Sequence, residues 1–125
     1  MNYDEAIDRG AVSFDAGEYY EAHEVWEEAW LEAEGRDRLL LQALVQTAAA
    51  YVQHERGERR AVASLSASAQ DYLDGLPRSY LGVDVERLRD VLRETNERAR
   101  TSIDSDGWTP LMLRHVDVPR AGEAD

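Results

Sequence analysis

Cysteine is absent from this 125-residue chain, which excludes disulfides, iron–sulfur clusters and thiolate zinc sites. Lysine is absent as well. All 14 basic residues are arginine, set against 26 Asp and Glu, for a net charge of −12. No apolar run approaches the roughly 20 residues of a membrane span, and no charged-then-apolar leader opens the chain. No Gly-rich phosphate loop and no Gly-x-Ser-x-Gly elbow occurs, so phosphate-cradling and serine-nucleophile chemistry lack their sequence signals. No convincing strand-period alternation or clear internal repeat is legible, although Gly17-x-Tyr19-x-x-Ala22 is similar to one half of a tetratricopeptide hairpin.

These absences shape the expectations. The size suits one domain with a single sizeable core, here placed at residues 1–118 with a disordered tail at 119–125. A soluble, cytoplasmic protein is expected, with no membrane partner. Nucleic acid is excluded as a partner because the basic patch that phosphates require is missing. An acidic surface stripped of lysine fits adaptation to molar salt, where the Debye length shrinks to about 3 Å and self-repulsion is screened. An ordinary acidic protein that happens to lack lysine is the simpler alternative.

What is present is helical. Ile7, Ala11 and Phe14 fall at helical spacing in a first helix over 4–16, weakened by Gly10 and ended by Gly17. A second helix runs from about 18 to 34 without Gly or Pro. At about 100° per residue, Tyr19, Ala22, Val25, Trp26, Ala29, Trp30 and Ala33 share an apolar arc. Glu21, Glu24, Glu28 and Glu32 face away. His23 sits within the arc near its edge, with Glu27 one turn on.

The third helix, about 38–56 with Asp37 as its N-cap, is apolar nearly all round and is therefore the buried central helix. Its polar exceptions are Gln42, Gln46, Gln53 and His54. The three glutamines fall within about 40° of one another, a polar seam on an apolar cylinder. Ala61, Val62, Leu65, Ala69, Tyr72, Leu73 and Leu76 mark a fourth helix between Gly57 and Gly75. Asp84 caps a fifth, with Val85, Leu88, Val91, Leu92, Ala99 and Ile103 as its buried stripe. Trp108 to Leu113, interrupted by Pro110, reads as an extended C-terminal strap. The fold class is all-α: a compact bundle of about five helices.

His23-Glu24-Val25-Trp26-Glu27 begins like the zinc-protease motif but ends in Glu where the second His ligand belongs. A helical His and Glu at i and i+4 can still hold one ion from one face. His54 is the best-placed third ligand, and Gln42 and Gln46 suit orientation rather than ligation. Di-iron Glu-x-x-His pairs are absent. The same polar groups also read as a structural network whose members bond one another and backbone carbonyls.

The pattern Phe14-x-x-Gly17-x-Tyr19-x-x-Ala22-His23-Glu24-x-Trp26-Glu27-x-x-Trp30, followed by Gln42-x-x-x-Gln46 and His54, resembles the family called domain of unknown function 309. The resemblance covers roughly residues 5–75 and implies a compact helical domain labelled a predicted metal-dependent hydrolase. The family's Gly-Asn-x-x-Gly-Ala stretch reads Gly57-Glu58-Arg59-Arg60-Ala61-Val62 here, so a role needing that Asn or second Gly has no counterpart.

Two functions follow. One is a small hydrolase using zinc or manganese, with His23, Glu27 and His54 on the ion, Glu24 and His54 as catalytic groups, and Tyr19, Trp26, Trp30, Gln42 and Gln46 around them. The other is a non-catalytic helical module that binds a protein partner or a second copy of itself.

Overall fold

A computed structural model describes residues 3–101. The strap at 108–113, the tail at 119–125 and Ile103 lie outside the described residues. Five helices follow one another: α1 (Asp4–Asp15), α2 (Tyr19–Glu32), α3 (Gly35–Glu55), α4 (Arg59–Leu73) and α5 (Val85–Thr101). Each packs chiefly on its neighbours in the chain, with α3 in the middle of the array against α2 and α4. None of these helices is long and apolar enough to cross a membrane.

The core follows from the periodicity of the apolar residues. Ile7, Phe14, Trp26, Leu40, Leu44, Tyr51, Leu88 and Leu92 are all buried. Tyr51 joins three helices. Its ring meets Phe14 of α1 edge-on at 5.1 Å, and its hydroxyl shares a buried hydrogen bond with Thr95 of α5 at 3.3 Å. Buried hydroxyls elsewhere return to their own helix: Thr47 donates to the Ala43 carbonyl and Ser66 to that of Val62, both at 2.7 Å. No buried alcohol of this kind needs a distant partner.

The turns reveal a repeat that the side chains conceal. After α1, the Gly17 N–H donates to the Phe14 carbonyl at 2.9 Å and Glu18 to that of Ser13 at 2.8 Å. After α3, Gly57 donates to His54 at 3.0 Å and Glu58 to Gln53 at 2.9 Å. Gly17 and Gly57 have φ of 83° and 74°, the left-handed conformation that closes a helix with paired orphan carbonyls. The α1–α2 and α3–α4 hairpins thus share one geometry about forty residues apart, a period within the range of helical repeats.

Two features differ from the sequence expectation. Helix α3 starts at Gly35, so Asp37 is not its N-cap but a first-turn residue that accepts a 2.6 Å hydrogen bond from the Tyr80 hydroxyl. A two-strand antiparallel hairpin, β1 (Ser79–Tyr80) and β2 (Val83–Asp84), precedes α5. Its turn places Leu81 and Gly82 at φ of 48° and 78°, as two-residue hairpin loops require. Strands this short carry no alternation to read. The Asp84 cap is present as expected, its carboxylate accepting the Arg87 N–H at 3.0 Å.

Candidate functional site

The α2–α3 pair builds a cleft that contains His23, a predicted site residue. Helix α2 contributes Tyr20 and His23, and α3 contributes Ala49, Val52, Gln53 and Arg56, around about 170 Å³. The spacing explains the α3 side, since 49, 52, 53 and 56 recur at three- and four-residue intervals on one face. Tyr20, Gln53 and Arg56 were not among the predicted site residues. Their signal was the antiparallel pairing of α2 with α3, which sequence periodicity does not supply.

His23 is half-buried, its side chain 24% exposed. Its two ring nitrogens serve different carboxylates: Nδ1 lies 3.4 Å from Glu24 Oε1, and Nε2 lies 3.6 Å from Glu27 Oε2. Opposite edges of one ring cannot converge on one ion, so only the Nε2–Glu27 edge has the shape of a chelate. Zinc sites use three or four protein ligands. Among the described residues, no group of three or more His, Cys, Asp or Glu side chains could hold an ion.

His54 does not line the cleft. It follows Gln53 by about 100° around α3 and lies on the flank nearer Tyr51. Its Nδ1 is buried without a hydrogen-bond partner among the described residues. Burial pushes its pKa below 6.5, opposed by the Glu55 carboxylate. Gln42 and Gln46 are half-buried. With Gln53 they centre about 160–200° from Tyr51 on the helical wheel, so the polar seam is the open stripe of α3. None of the three amides is hydrogen-bonded to another described residue.

The predicted aromatics divide. Trp26 is fully buried and its indole N–H donates to the Ile7 carbonyl at 3.3 Å, so it is core. Tyr19 packs on Phe14 at 4.9 Å and Tyr51 at 5.2 Å. Burial, then Glu55 and Asp15, raises its pKa above 10.0. Trp30 carries the Arg38 guanidinium over its ring at 4.1 Å, while its own Nε1 is buried without a partner among the described residues.

What the cleft offers chemically is a mixed surface: the Arg56 guanidinium, the His23 imidazole, the Tyr20 phenol and the Gln53 carboxamide beside Ala49 and Val52. No curated protein matches the chain. Residues 7–65, from the first turn of α1 into α4, match the profile of the family described as Domain of unknown function (DUF309), and the chain is similar to that family over this span.

Proposed function

We propose that this chain is a non-catalytic helical-hairpin module that holds an extended polypeptide segment along the open stripe of α3. The observation that carries the reading is the row of Gln42, Gln46 and Gln53, unbonded within the described residues on an otherwise apolar helix. A carboxamide presents a donor and an acceptor together, the complement of a peptide group. Gln42 and Gln46 are separated by about 6 Å along the helix, close to the two-residue repeat of an extended strand at about 3.3 Å per residue. Arg56 and His23 stand at one end of the row, in the cleft with Gln53.

Selection from a random peptide library tests the reading. Peptides should be enriched on the wild-type chain and lost on the Gln42→Ala/Gln46→Ala variant. No enrichment, or enrichment indifferent to both glutamines, overturns it.

A second reading rests on the 3.6 Å approach of His23 Nε2 to Glu27: a zinc or manganese ion held there would give the metal-dependent hydrolase that the sequence resemblance implies. It needs a third ligand that the described residues do not supply. Calorimetric titration with zinc and manganese, on protein without a polyhistidine tag, separates the readings. Stoichiometric binding lost in Glu27→Gln favours the ion, and its absence favours the module.

A further inference from the structure

We infer that the outer flank of the α1–α2 hairpin is a second docking surface, built for a basic amphipathic helix of a partner protein. The groove on this flank shares no lining residue with the α2–α3 cleft, so the inference stands apart from the peptide-binding reading above. Charge, its arrangement and the groove each contribute to it.

The excess charge is confined to one part of the chain. Residues 1–35 hold eleven Asp and Glu and a single arginine, Arg9, whereas residues 36–101 hold ten Asp and Glu against eleven Arg. The first hairpin therefore carries most of the net charge of −12. General solubility does not require such segregation, because a dispersed excess repels other copies equally well.

Helix α2 contains neither Lys nor Arg. Its exposed Glu24, Glu28 and Glu32 follow one another at four-residue spacing, where like charges destabilise a helix. Helix α5 uses comparable spacings differently: Glu94 pairs with Arg98 at 2.9 Å, and Asp90 pairs with Arg93. One helix balances its own solvated face, and the other does not. Arg9 lines the groove with Glu21, but one guanidinium cannot balance the row.

The groove supplies the seat that charge alone does not. It is a mainly apolar depression of about 440 Å³ between α1 and α2, where Val12 and Val25 lie among Asp8, Arg9, Ser13 and Glu21. Val12 is 70% exposed, an apolar side chain held in water on an acidic surface. Glu21, Val25, Glu28 and Glu32 recur at three- and four-residue intervals, so one stripe of α2 joins the groove to the glutamates. A crease between two antiparallel helices accepts a third helix, and α3 already packs on α2. A helix with an apolar stripe flanked by Lys or Arg covers Val12 and Val25 and meets Glu21, Glu28 and Glu32. A second copy fits poorly, since its own flank has the same sign and its residues 36–101 are near balance.

The probe is a dye-labelled synthetic helix of leucine and lysine, with leucine at three- and four-residue spacing, titrated into the full chain at physiological ionic strength. Fluorescence anisotropy should show binding to the wild type. Glu21→Gln/Glu28→Gln/Glu32→Gln should weaken it about tenfold or more, and Val12→Ser should weaken it as well. Glu86→Gln/Glu94→Gln/Glu97→Gln removes the same charge from exposed positions of α5 and should bind as the wild type does. By NMR, the Val12 and Val25 methyl signals should shift on binding, while those of Ala49 and Val52 in the α2–α3 cleft should not.

No binding to the wild type overturns the inference. So does equal weakening by the α2 and α5 triple variants, which would reduce the effect to net charge. Equal binding of a scrambled peptide of the same composition would remove the groove from the account and overturn it too. Shifts at Ala49 and Val52 in place of Val12 and Val25 would seat the peptide in the α2–α3 cleft and reject a second surface. A dimer in sedimentation that Val12→Ser dissociates would give the flank to a second copy, against the inference.

Discussion

The indole of Trp26 occupies the space that a side chain at residue 10 would fill: a Cβ on Gly10 would lie 2.1 Å from Nε1. Helix α1 can approach α2 this closely only because Gly10 has no side chain, and the approach lets the indole N–H reach the Ile7 carbonyl.

That relationship gives a prediction of sign. By helix propensity alone, Gly10→Ala should stabilise α1 by about 1 kcal/mol. The clash with a buried ring should instead destabilise the fold by about 1–3 kcal/mol, as overpacking does. Trp26→Ala should cost about 3–5 kcal/mol. In the double variant the alanine at 10 no longer meets a ring, so the two costs should not add. Urea midpoints for the four proteins decide it, and a stabilised Gly10→Ala would refute the close packing.

Arg38 supplies a second prediction. Helix α2 has no basic residue in its last turn, yet its terminal carbonyls are not bare. Arg38, reaching back from α3, donates to Trp30 O at 3.3 Å and Ala33 O at 3.2 Å while stacking on the Trp30 ring. Arg38→Ala should cost about 1–2 kcal/mol, from lost hydrogen bonds and cation–π contact. Arg38→Lys should recover only part of it, since an ammonium cannot stack and fork together. Full recovery with lysine would reduce the contact to simple charge at a helix end.

The sequence made the helices legible because apolar residues recur at three and four positions from Ile7 to Ala99. It made the caps at Gly17, Gly57 and Asp84 legible because their chemistry is local. The repeat was hidden. The shared hairpin geometry places Phe14, Tyr19 and Trp26 in correspondence with His54, Arg59 and Ser66, pairs with no common side-chain chemistry. The candidate site was legible in part. His23 and Glu27 share a face by spacing alone, and the glutamine seam follows from the wheel. Which α3 residues meet His23 depends on how far α2 slides along α3, which no periodicity encodes. Gln53 and Arg56 therefore emerged only with the packing.

The acidic, lysine-free composition leads to a prediction about salt. Charges of one sign over the surface repel through water at low ionic strength and are screened at molar concentration. The melting temperature should rise steeply from low salt to molar KCl. Replacing several exposed glutamates, such as Glu21, Glu28 and Glu32, by glutamine should raise it at low salt and flatten the dependence. A flat profile in the wild-type chain would leave the composition without an adaptive role.

The last prediction concerns pH and turns on the direction of the His54 shift. Its ring is partly buried, its Nδ1 has no partner among the described residues, and burial holds its pKa below the unperturbed 6.5. The unfolded chain therefore takes up a proton at higher pH than the folded chain does. Between the folded pKa and about 6.5, the unfolded state binds more protons, so stability rises with pH across that window. The contribution is fully present above 6.5 and is lost as pH falls toward the folded pKa. His54→Gln removes the titration, so the fall in denaturation midpoint between about pH 7.5 and about pH 5.5 should become shallower in that variant. His23→Gln is the useful comparison, because that ring faces the Glu24 and Glu27 carboxylates rather than an unpartnered interior. A slope unchanged by His54→Gln would mean that the ring is solvated in the folded chain, and the burial argument for His54 would fall.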